Sequence, residues 1–400
     1  MSIVAARLDR IKPSPSSMAS QRARELRAAG RDIVSLTAGE PDFDTPSNVC
    51  DAVVRAMAAS KTKYTDVGGT PELKAAIIDK FRRDNALGYA ANEIIVGTGG
   101  KQIIFNALMC TLEPGDEVIV PAPHWVSYPD IALLAEGLPV VLACRPEDGF
   151  KLRPEALAKA ITPRTRWLVL NAPNNPSGAM YTRDELSELA AVLLRHPQVW
   201  VLSDDIYEHI RYDGRRFLTI AQVEPALKAR TLTVNGVSKA YAMTGWRIGY
   251  GGAPAELVKA MTKLQSQSTS NACSISQAAA QEALDGPQDV VAERARIFEK
   301  RRDWIVAAVN RIPGLHCHAP EGAFYVYASC AGVIGKKTPD GRILGSDADF
   351  VMFLLEAQDL ALVQGEAYGL SPFVRISFAA SMETLEEGCR RLRLACEALR

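Results

Sequence analysis

The sequence lacks an excess of charge of either sign. Its 400 residues contain 46 lysines and arginines and 46 aspartates and glutamates, so the formal net charge is zero. Proteins that bind nucleic acid commonly carry a basic excess, and this chain has none. We therefore expect no nucleic-acid partner.

Long apolar runs are also absent. No uncharged apolar stretch approaches the about 20 residues that a membrane-spanning helix needs. The first residues carry charges at Arg7, Asp9, Arg10 and Lys12, where a secretion signal would have an apolar segment. We expect a cytoplasmic protein with no membrane partner.

The eight cysteines lack the paired spacing of a disulfide framework or a metal site. A chain of this length, 48% of it hydrophobic, can bury a large core without disulfides. The group His316-Cys317-His318 offers metal-ligand side chains, but adjacent residues of a strand point to opposite faces and no second cluster completes a coordination shell. We expect reduced cysteines and no metal.

Short apolar runs alternate with helical stretches between about residues 93 and 250, which is typical of an α/β sheet with helices on both faces. Polar, glycine-rich or aromatic residues directly follow five of these runs. Because open α/β sheets bind ligands outside the carboxyl ends of their strands, the five loops predict one shared crevice. The runs are residues 93–96, 117–120, 167–170, 199–202 and 231–234.

The remaining sequence predicts two further strands and two further helices. Residues 322–327 and 373–378 have the pattern of strands, a closing helix covers 384–399, and the charged stretch 294–302 predicts a solvent-exposed helix. We predict three parts: an N-terminal arm with part of a small domain (1–45), a large domain (46–290) and a C-terminal α+β small domain (291–400).

Lys239 is the residue around which the predicted chemistry is arranged. It lies in the stretch NGVSKAYAMTGWRIGY, after a β-branched run and small residues, and Arg247 follows eight residues later. A partly desolvated lysine near a second cation has a lowered pKa, so its amine can act as a nucleophile toward a carbonyl. The alternative is a surface lysine in a glycine-rich loop, and only the surrounding residues can decide between the two.

The loop GTGGK before Gln102 does not match a nucleoside-triphosphate loop, because Ile95 stands where the first glycine is required and Gln102 where Ser or Thr is required. A glycine turn that opens a helix can still bind one phosphate group, together with Ser238 and Arg247. Each candidate also has a structural alternative. These are a tight turn for the glycines, a helix N-cap for Asp204, core packing for Trp125 and Tyr207, and an ion pair for Arg375.

The chain resembles the class I aminotransferases of the type I pyridoxal-phosphate fold. Within them it is most similar to the bacterial aspartate aminotransferase subgroup, which includes aspartate/prephenate enzymes. The resemblance covers nearly the whole chain and implies a large domain with a mostly parallel sheet flanked by helices and a smaller α+β domain. It rests on the ordered motifs GEPDFDTP, KYTDVGGTPELKAAI, GTGGKQ, NAPNNPSGA, SDDIYEH, VSKAYAMTGWRIGY, PEGAFYVY and FVRISFA.

The resemblance implies pyridoxal 5'-phosphate as cofactor. Lys239 would bind it covalently and then move a proton, Asp204 would hold the ring nitrogen protonated, and Tyr207 would bond the phenolic oxygen. These three are the expected catalytic residues. The expected cofactor-binding residues also include Asn175, Trp125 over the ring, the phosphate-binding Gly99, Gly100, Lys101, Ser238 and Arg247, and Tyr64 reaching in from the second subunit of a homodimer.

The resemblance also implies a substrate site for amino acids and 2-oxo acids. Arg375 would bind the α-carboxylate with help from Gly39, and Trp125 and Asn175 would contact the substrate. The distal carboxylate would meet Ser14, Ser16 and Lys101, with Lys12 matching members that accept prephenate. One departure is Pro15 between the two serines, which stiffens the arm.

The expected reaction is amino transfer between aspartate and 2-oxoglutarate, with prephenate as a further acceptor. An aromatic or alanine aminotransferase or a pyridoxal-phosphate lyase on the same scaffold stays open as an alternative. A regulator built on an aminotransferase-like domain would need an added DNA-binding region, and residues 1–30 are too short and not basic enough for one.

Overall fold

The computed structural model describes residues 3–13 and 15–400, and of residues 15–17 only the backbone. Ser14, one of the predicted substrate contacts, therefore lies outside the described residues, as does the side chain of Ser16. The roles assigned to both stay predictions.

A seven-stranded sheet forms the centre of the large domain, with the strand order β2-β8-β7-β6-β5-β3-β4. Its strands are parallel except β8, which runs antiparallel to both of its neighbours. The strands of the protein are β1 (Val34–Ser35), β2 (Ile94–Gly97), β3 (Glu117–Ala122), β4 (Leu138–Ala143), β5 (Thr165–Asn171), β6 (Trp200–Asp204), β7 (Thr231–Gly236), β8 (Gly249–Gly252), β9 (Tyr325–Ser329), β10 (Leu360–Ala361), β11 (Val363–Gln364) and β12 (Phe373–Ser377).

The five apolar runs of the sequence correspond to β2, β3, β5, β6 and β7. All five run in the same direction, so their carboxyl ends lie at one edge of the sheet, as predicted. Their side chains are almost entirely buried on both faces because helices cover the sheet on both sides. The mostly parallel sheet flanked by helices is therefore confirmed.

The helices are α1 (Pro15–Ala28), α2 (Ser47–Ala58), α3 (Pro71–Asn85), α4 (Gly100–Met109), α5 (Ser127–Leu134), α6 (Pro154–Ala160), α7 (Arg183–Leu194), α8 (Ile220–Val223), α9 (Ala255–Ser266), α10 (Ser274–Asp285), α11 (Asp289–Val309), α12 (Asp347–Gln358) and α13 (Met382–Glu397). The start of α3 follows its sequence, because Thr70 accepts a hydrogen bond from the Leu73 amide at 3.3 Å and Pro71 occupies the first turn. None of the helices in the described part of the chain has both the length and the apolar character of a membrane span.

A smaller unit contains the antiparallel sheet β11-β12-β9, against which α11, α12 and α13 pack. Its core includes the fully buried rings of Phe324, Phe350 and Phe378. The first strand of the chain joins this unit, because β1 pairs in parallel with β10. The predicted boundaries at residues 45 and 290 stay predictions, and α11 runs across the second of them.

The prediction of a solvent-exposed helix at 294–302 is wrong for two of its arginines. Arg301 and Arg302 are 8% and 3% exposed. Arg301 donates two hydrogen bonds to the Asp42 carboxylate, at 2.7 and 2.9 Å, and Arg302 donates two to Asp213. Distant carboxylates therefore compensate the burial of this charge.

Candidate active site

A cavity of about 430 Å³ opens at the carboxyl ends of the parallel strands. It brings together most of the predicted site residues, which belong to several loops far apart in the chain. The predicted residues in its wall are Gly39, Gly100, Lys101, Trp125, Asn175, Asp204, Tyr207, Ser238, Lys239, Arg247 and Arg375. The loops after the strands therefore form the shared crevice that the sequence predicts.

Lys239 follows the end of β7 and is half-buried in the cavity wall. Its ammonium group donates a hydrogen bond to the Gly39 carbonyl at 2.5 Å. Burial lowers the pKa of Lys239 to about 8, the charges of Arg375 and Arg247 act in the same direction, and Glu40 opposes them. Part of the lysine population therefore carries a neutral, nucleophilic amine at neutral to mildly alkaline pH.

Asp204 ends β6 and points into the cavity from the floor of the sheet, with 6% of the residue exposed. The Tyr128 hydroxyl donates a hydrogen bond to its Oδ2 at 2.6 Å, and the Ile206 amide approaches Oδ1 at 3.4 Å. Burial raises the pKa of Asp204 to about 6, against the effect of these hydrogen bonds. The carboxylate is thus mostly ionised at neutral pH and can face a cationic ring nitrogen.

Arg375 lies in β12 and is 2% exposed. Its guanidinium donates to Asn175 Oδ1 at 3.0 Å and to the Thr37 carbonyl at 2.7 Å, whereas its buried Nε has no partner among the described residues. None of its contacts is a carboxylate of the described chain, so the structural alternative of an internal ion pair does not apply. A buried guanidinium without a counter-ion suits an anionic ligand.

The loop before α4, Ser238 and Arg247 form a corner whose charge suits an anion. Gly99 has a φ of +85°, and a Cβ on it would collide with the Arg247 guanidinium. Glycine is required here because any side chain would fill the space that the guanidinium occupies. The free amides at the start of α4 add the positive end of a helix dipole.

Trp125 and Lys101 are neighbours in the cavity wall. Lys101 Nζ lies 4.8 Å from the centroid of the Trp125 ring, and the Tyr128 ring packs edge-on against Trp125 at 5.2 Å. Burial lowers the pKa of Lys101, and the neighbouring Arg247 adds to the effect while Asp130 opposes it. Lys101 is therefore a partly solvent-exposed cation beside an aromatic face.

Three of the predicted residues that the structure describes are absent from the cavity wall. Gly99 directly precedes the wall residue Gly100, and the other two are Lys12 and Tyr64. Lys12 is exposed and is absent from the wall, although its charge and that of Lys101 counteract the burial that raises the pKa of Asp130. Tyr64 is 92% exposed and does not line the cavity of its own chain. The roles assigned to both stay predictions.

The cavity also contains side chains that the sequence did not indicate, namely Arg24, Glu40, Tyr128 and Tyr325. Glu40 belongs to the GEPDFDTP motif and accepts a hydrogen bond from Thr244 at 2.6 Å. Tyr128 lies three residues after Trp125, and Tyr325 lies in the PEGAFYVY motif. Glu40 and Tyr325 lie in motifs of the sequence, whereas Tyr128 lies outside them. The hydroxyl partners of Tyr128 and Tyr325 are 76 and 118 residues away in the chain.

The predicted cofactor fits this set of groups. The corner at Gly99 can take a phosphate, Asp204 is an ionised acceptor on the cavity floor, and the Trp125 ring offers an aromatic face. Lys239 has the lowered pKa that a nucleophilic amine needs. The unpartnered Nε of Arg375 leaves a donor for a substrate carboxylate.

Comparison with known proteins gives consistent results over the full length. Residues 31–392 match the family Aminotransferase class I and II. The chain is 55% identical over 399 residues to the aspartate/prephenate aminotransferase of Cereibacter sphaeroides, with 100% of both chains covered.

Solved structures agree in fold. The aspartate aminotransferase of Rhizobium meliloti superposes with a TM-score of 0.97 at 55% identity, with 100% of both chains covered. The aspartate aminotransferase of Thermus thermophilus with maleate gives 0.92 at 42% identity, covering 99% of this chain and 100% of that one. The motif resemblance is confirmed, and the chain belongs to the aminotransferase class I and II family.

Proposed function

We propose that the protein is a pyridoxal-phosphate-dependent aspartate:2-oxoglutarate aminotransferase that also accepts prephenate. The observation that carries the proposal is the convergence of Lys239, Asp204 and Arg375 in one cavity. The names of the related proteins from Cereibacter sphaeroides and Rhizobium meliloti support the choice of substrates.

Membership of the family implies pyridoxal phosphate as the cofactor. The bound cofactor would accept the electron pair that is released at the substrate Cα. Lys239 would hold it covalently and Asp204 would face its ring nitrogen. Tyr207 and Asn175 would bond its phenolic oxygen. Its phosphate would lie at Gly99, Gly100, Lys101, Ser238 and Arg247, with Trp125 over the ring and Tyr64 contributed by a second subunit.

Lys239 is the proton carrier of the proposed reaction. Because burial brings its pKa to about 8, the amine can take a proton from the substrate Cα and release it again within one turnover. The Gly39 carbonyl, which accepts from Lys239 at 2.5 Å, limits where the amine can lie. Lys239 therefore acts as general base and general acid from one position.

Arg375 would orient the substrate by its α-carboxylate. The guanidinium already lies fixed between Asn175, Thr37 and the ring of Tyr325, at 4.4 Å from the ring centroid. A planar guanidinium binds a carboxylate through two parallel hydrogen bonds, so this fixed fork aims the substrate Cα at Lys239. Water has little access because Arg375 is almost completely buried.

The charge of the cavity favours a second carboxylate on the substrate. Arg24, Lys101, Lys239, Arg247 and Arg375 face only two carboxylates in the wall, those of Glu40 and Asp204. A phosphate would neutralise part of this excess, and the remaining positive charge suits dicarboxylates. The Thermus thermophilus protein was solved with maleate, a dicarboxylate. Lys12, Ser14 and Ser16 would complete the subsite from the N-terminal arm.

We also propose a homodimer with shared sites. Gln265 holds the segment before α3 by donating to the carbonyls of Val67 and Val96, at 2.8 and 2.9 Å, and Gln277 Nε2 donates to Thr65 Oγ1 at 3.0 Å. These buried amides fix a loop whose tip presents Tyr64 to the outside. A rigid loop with an exposed aromatic tip suits insertion into a second copy.

The test is a half-reaction in the absence of any oxo acid. Purified protein loaded with pyridoxal phosphate is mixed with aspartate, glutamate, alanine or tyrosine, and the visible absorbance and the oxo-acid product are followed. We expect aspartate and glutamate to react with much higher specificity constants than alanine and tyrosine. Prephenate is then added to the aminated protein. Faster reaction with tyrosine than with aspartate would instead identify an aromatic aminotransferase.

A further inference from the structure

Tyr325 lies between the two halves of the proposed site. It is the first residue of β9, its side chain is fully buried, and it lines the cavity. Its hydroxyl lies 2.9 Å from the Tyr207 hydroxyl, in a buried pair in which either oxygen can donate. The direction of this hydrogen bond therefore depends on what else each hydroxyl contacts.

The ring of Tyr325 also supports Arg375. The guanidinium lies 4.4 Å above the ring centroid, and the two residues occupy neighbouring strands, since Tyr325 is paired with Ser377 two residues beyond Arg375. A Cβ at Gly39 would lie 3.6 Å from the Tyr325 hydroxyl. One side chain thus contacts the proposed carboxylate-binding arginine and Tyr207.

A count of protons fixes the direction of the hydrogen bond. Tyr207 has one hydroxyl proton, and in the described chain its only hydrogen-bond partner is Tyr325. If Tyr207 gives that proton to the phenolic oxygen of the cofactor, its own oxygen can only accept from Tyr325. Burial raises the pKa of both tyrosines, so both hydroxyls keep their protons at neutral pH.

We propose that Tyr325 is a positioning residue that donates its hydroxyl proton to Tyr207 and thereby directs the Tyr207 proton toward the cofactor oxygen. This inference rests on the proposed function. A hydroxyl that accepts a hydrogen bond becomes a better donor, because hydrogen bonds in a chain polarise one another. Tyr325 therefore strengthens the bond from Tyr207, and its ring keeps Arg375 in place beside it.

The expected consequence concerns the Lys239 nitrogen in the loaded protein. The cofactor oxygen can be stabilised by Tyr207 or by a protonated Lys239 nitrogen. When the Tyr207 bond weakens, more negative charge stays on that oxygen and the nitrogen holds its proton more tightly. Loss of the Tyr325 hydroxyl should thus move the deprotonation of this nitrogen to higher pH.

The experiment compares Tyr325→Phe with Tyr327→Phe, and both variants keep the aromatic ring. Tyr327 lies two residues further in β9 and also loses a buried hydroxyl, but its partners are the backbone carbonyls of Gly365 and Leu370, at 3.2 and 2.5 Å. The readouts are the pH midpoint of the visible absorbance of the loaded protein and the dissociation constant of pyridoxal phosphate. Neither readout requires turnover.

We expect Tyr325→Phe to raise the midpoint by about half to one pH unit and to weaken cofactor binding several-fold. Tyr327→Phe should titrate like the wild type. In a Tyr207→Phe background, Tyr325→Phe should add no further shift. If the wild type binds pyridoxal phosphate but Tyr325→Phe leaves the midpoint unchanged, the role of Tyr325 is overturned and the proposed function is not. An equal shift in Tyr327→Phe would have the same meaning. Wild-type protein that takes up no pyridoxal phosphate would overturn the proposed function as well.

Discussion

The Tyr128 hydroxyl is a second tyrosine contact that the sequence motifs did not identify. It donates to Asp204 Oδ2 from a fully buried position, in a wall that also holds Trp125. Burial raises the pKa of Asp204, whereas this hydrogen bond favours the ionised form. Tyr128 therefore keeps Asp204 charged in an apolar setting, although it would not touch the substrate.

Tyr128→Phe should raise the pH at which the affinity for pyridoxal phosphate begins to fall on acidification. In the wild type, affinity for pyridoxal phosphate should fall as pH drops through about 6, where Asp204 gains a proton. Without the hydroxyl, the pKa of Asp204 rises by about one unit, and the fall in affinity should shift by the same amount. Equilibrium binding between pH 5 and about 8.5 measures it, with Tyr327→Phe as control. If the affinity of the wild type, Tyr128→Phe and Tyr327→Phe falls over the same pH range, Tyr128 has no such effect.

Arg24 is a cation in the cavity wall that no carboxylate of the described chain neutralises. Arg24→Gln should raise KM for aspartate and 2-oxoglutarate by about two- to fivefold, since an exposed charge contributes about 0.5–1 kcal/mol. KM for alanine should stay unchanged because alanine has no distal carboxylate. Arg22→Gln is the matched control, since Arg22 lies on the same helix and contacts Glu25 instead. Equal effects on alanine and aspartate would contradict a role in substrate choice.

At the scale of elements, a buried charged cluster joins α3 to the loop after β6 and to the end of β7. Glu208 is 2% exposed and forms an ion pair with Lys80, which is 1% exposed. It also accepts hydrogen bonds from Asn85 at 2.6 Å and from Asn235 at 2.8 Å. Asn235 lies four residues before Lys239, so the cluster connects the Tyr207 loop to the Lys239 loop.

Glu208→Gln should destabilise the protein by up to about 3–5 kcal/mol, because it removes the close counter-ion of the buried Lys80 and leaves it Asp84 at 3.9 Å. The double variant Lys80→Met with Glu208→Gln should recover part of this loss. Urea unfolding of the three proteins measures it. Burial alone would raise the pKa of Glu208, but Lys80 holds it well below the ordinary 4.5. Its contribution should thus be complete above that pH and decrease as pH falls below it. A double variant less stable than Glu208→Gln would contradict this account.

The elements were more predictable from sequence than the contacts between them. The five strands and the loops that carry Lys239, Asp204 and Asn175 follow from periodicity and the rule for strand ends. The burial of Arg301 and Arg302 does not, because Asp42 and Asp213 lie 259 and 89 residues away from them. Tyr128 and Tyr325 have the pattern of core aromatics, and only their distant hydroxyl partners reveal a function.

At the scale of the whole molecule, the proposed shared sites predict complementation between subunits. Protein with Lys239→Ala should be inactive, and protein with Tyr64→Ala should bind pyridoxal phosphate weakly. In a mixed dimer, one site combines an intact Lys239 with the intact Tyr64 of the other subunit. Random mixing should restore about a quarter of wild-type activity, since half the dimers are mixed and each has one intact site.

The mixing experiment uses the two variants unfolded and refolded together, with activity measured at limiting cofactor. In the matched control, Lys239→Ala is mixed with Tyr327→Phe instead of Tyr64→Ala. Tyr327 is a buried tyrosine that has no proposed contact with the second subunit. Activity no higher than the mean of the separately refolded variants would show that Tyr64 does not serve a neighbouring site.

The parallel pairing of β1 with β10 has a consequence for folding during synthesis on the ribosome. Val34 pairs with Leu360, and Arg375 donates to the Thr37 carbonyl, so β1 finds these partners only after residues 360 to 375 have been synthesised. At about 5–20 residues per second, that wait is on the order of tens of seconds. The strands β2 to β8 emerge well before. A nascent chain can therefore build the part of the cavity that contains Lys239 first, and the part that contains Arg375 forms later.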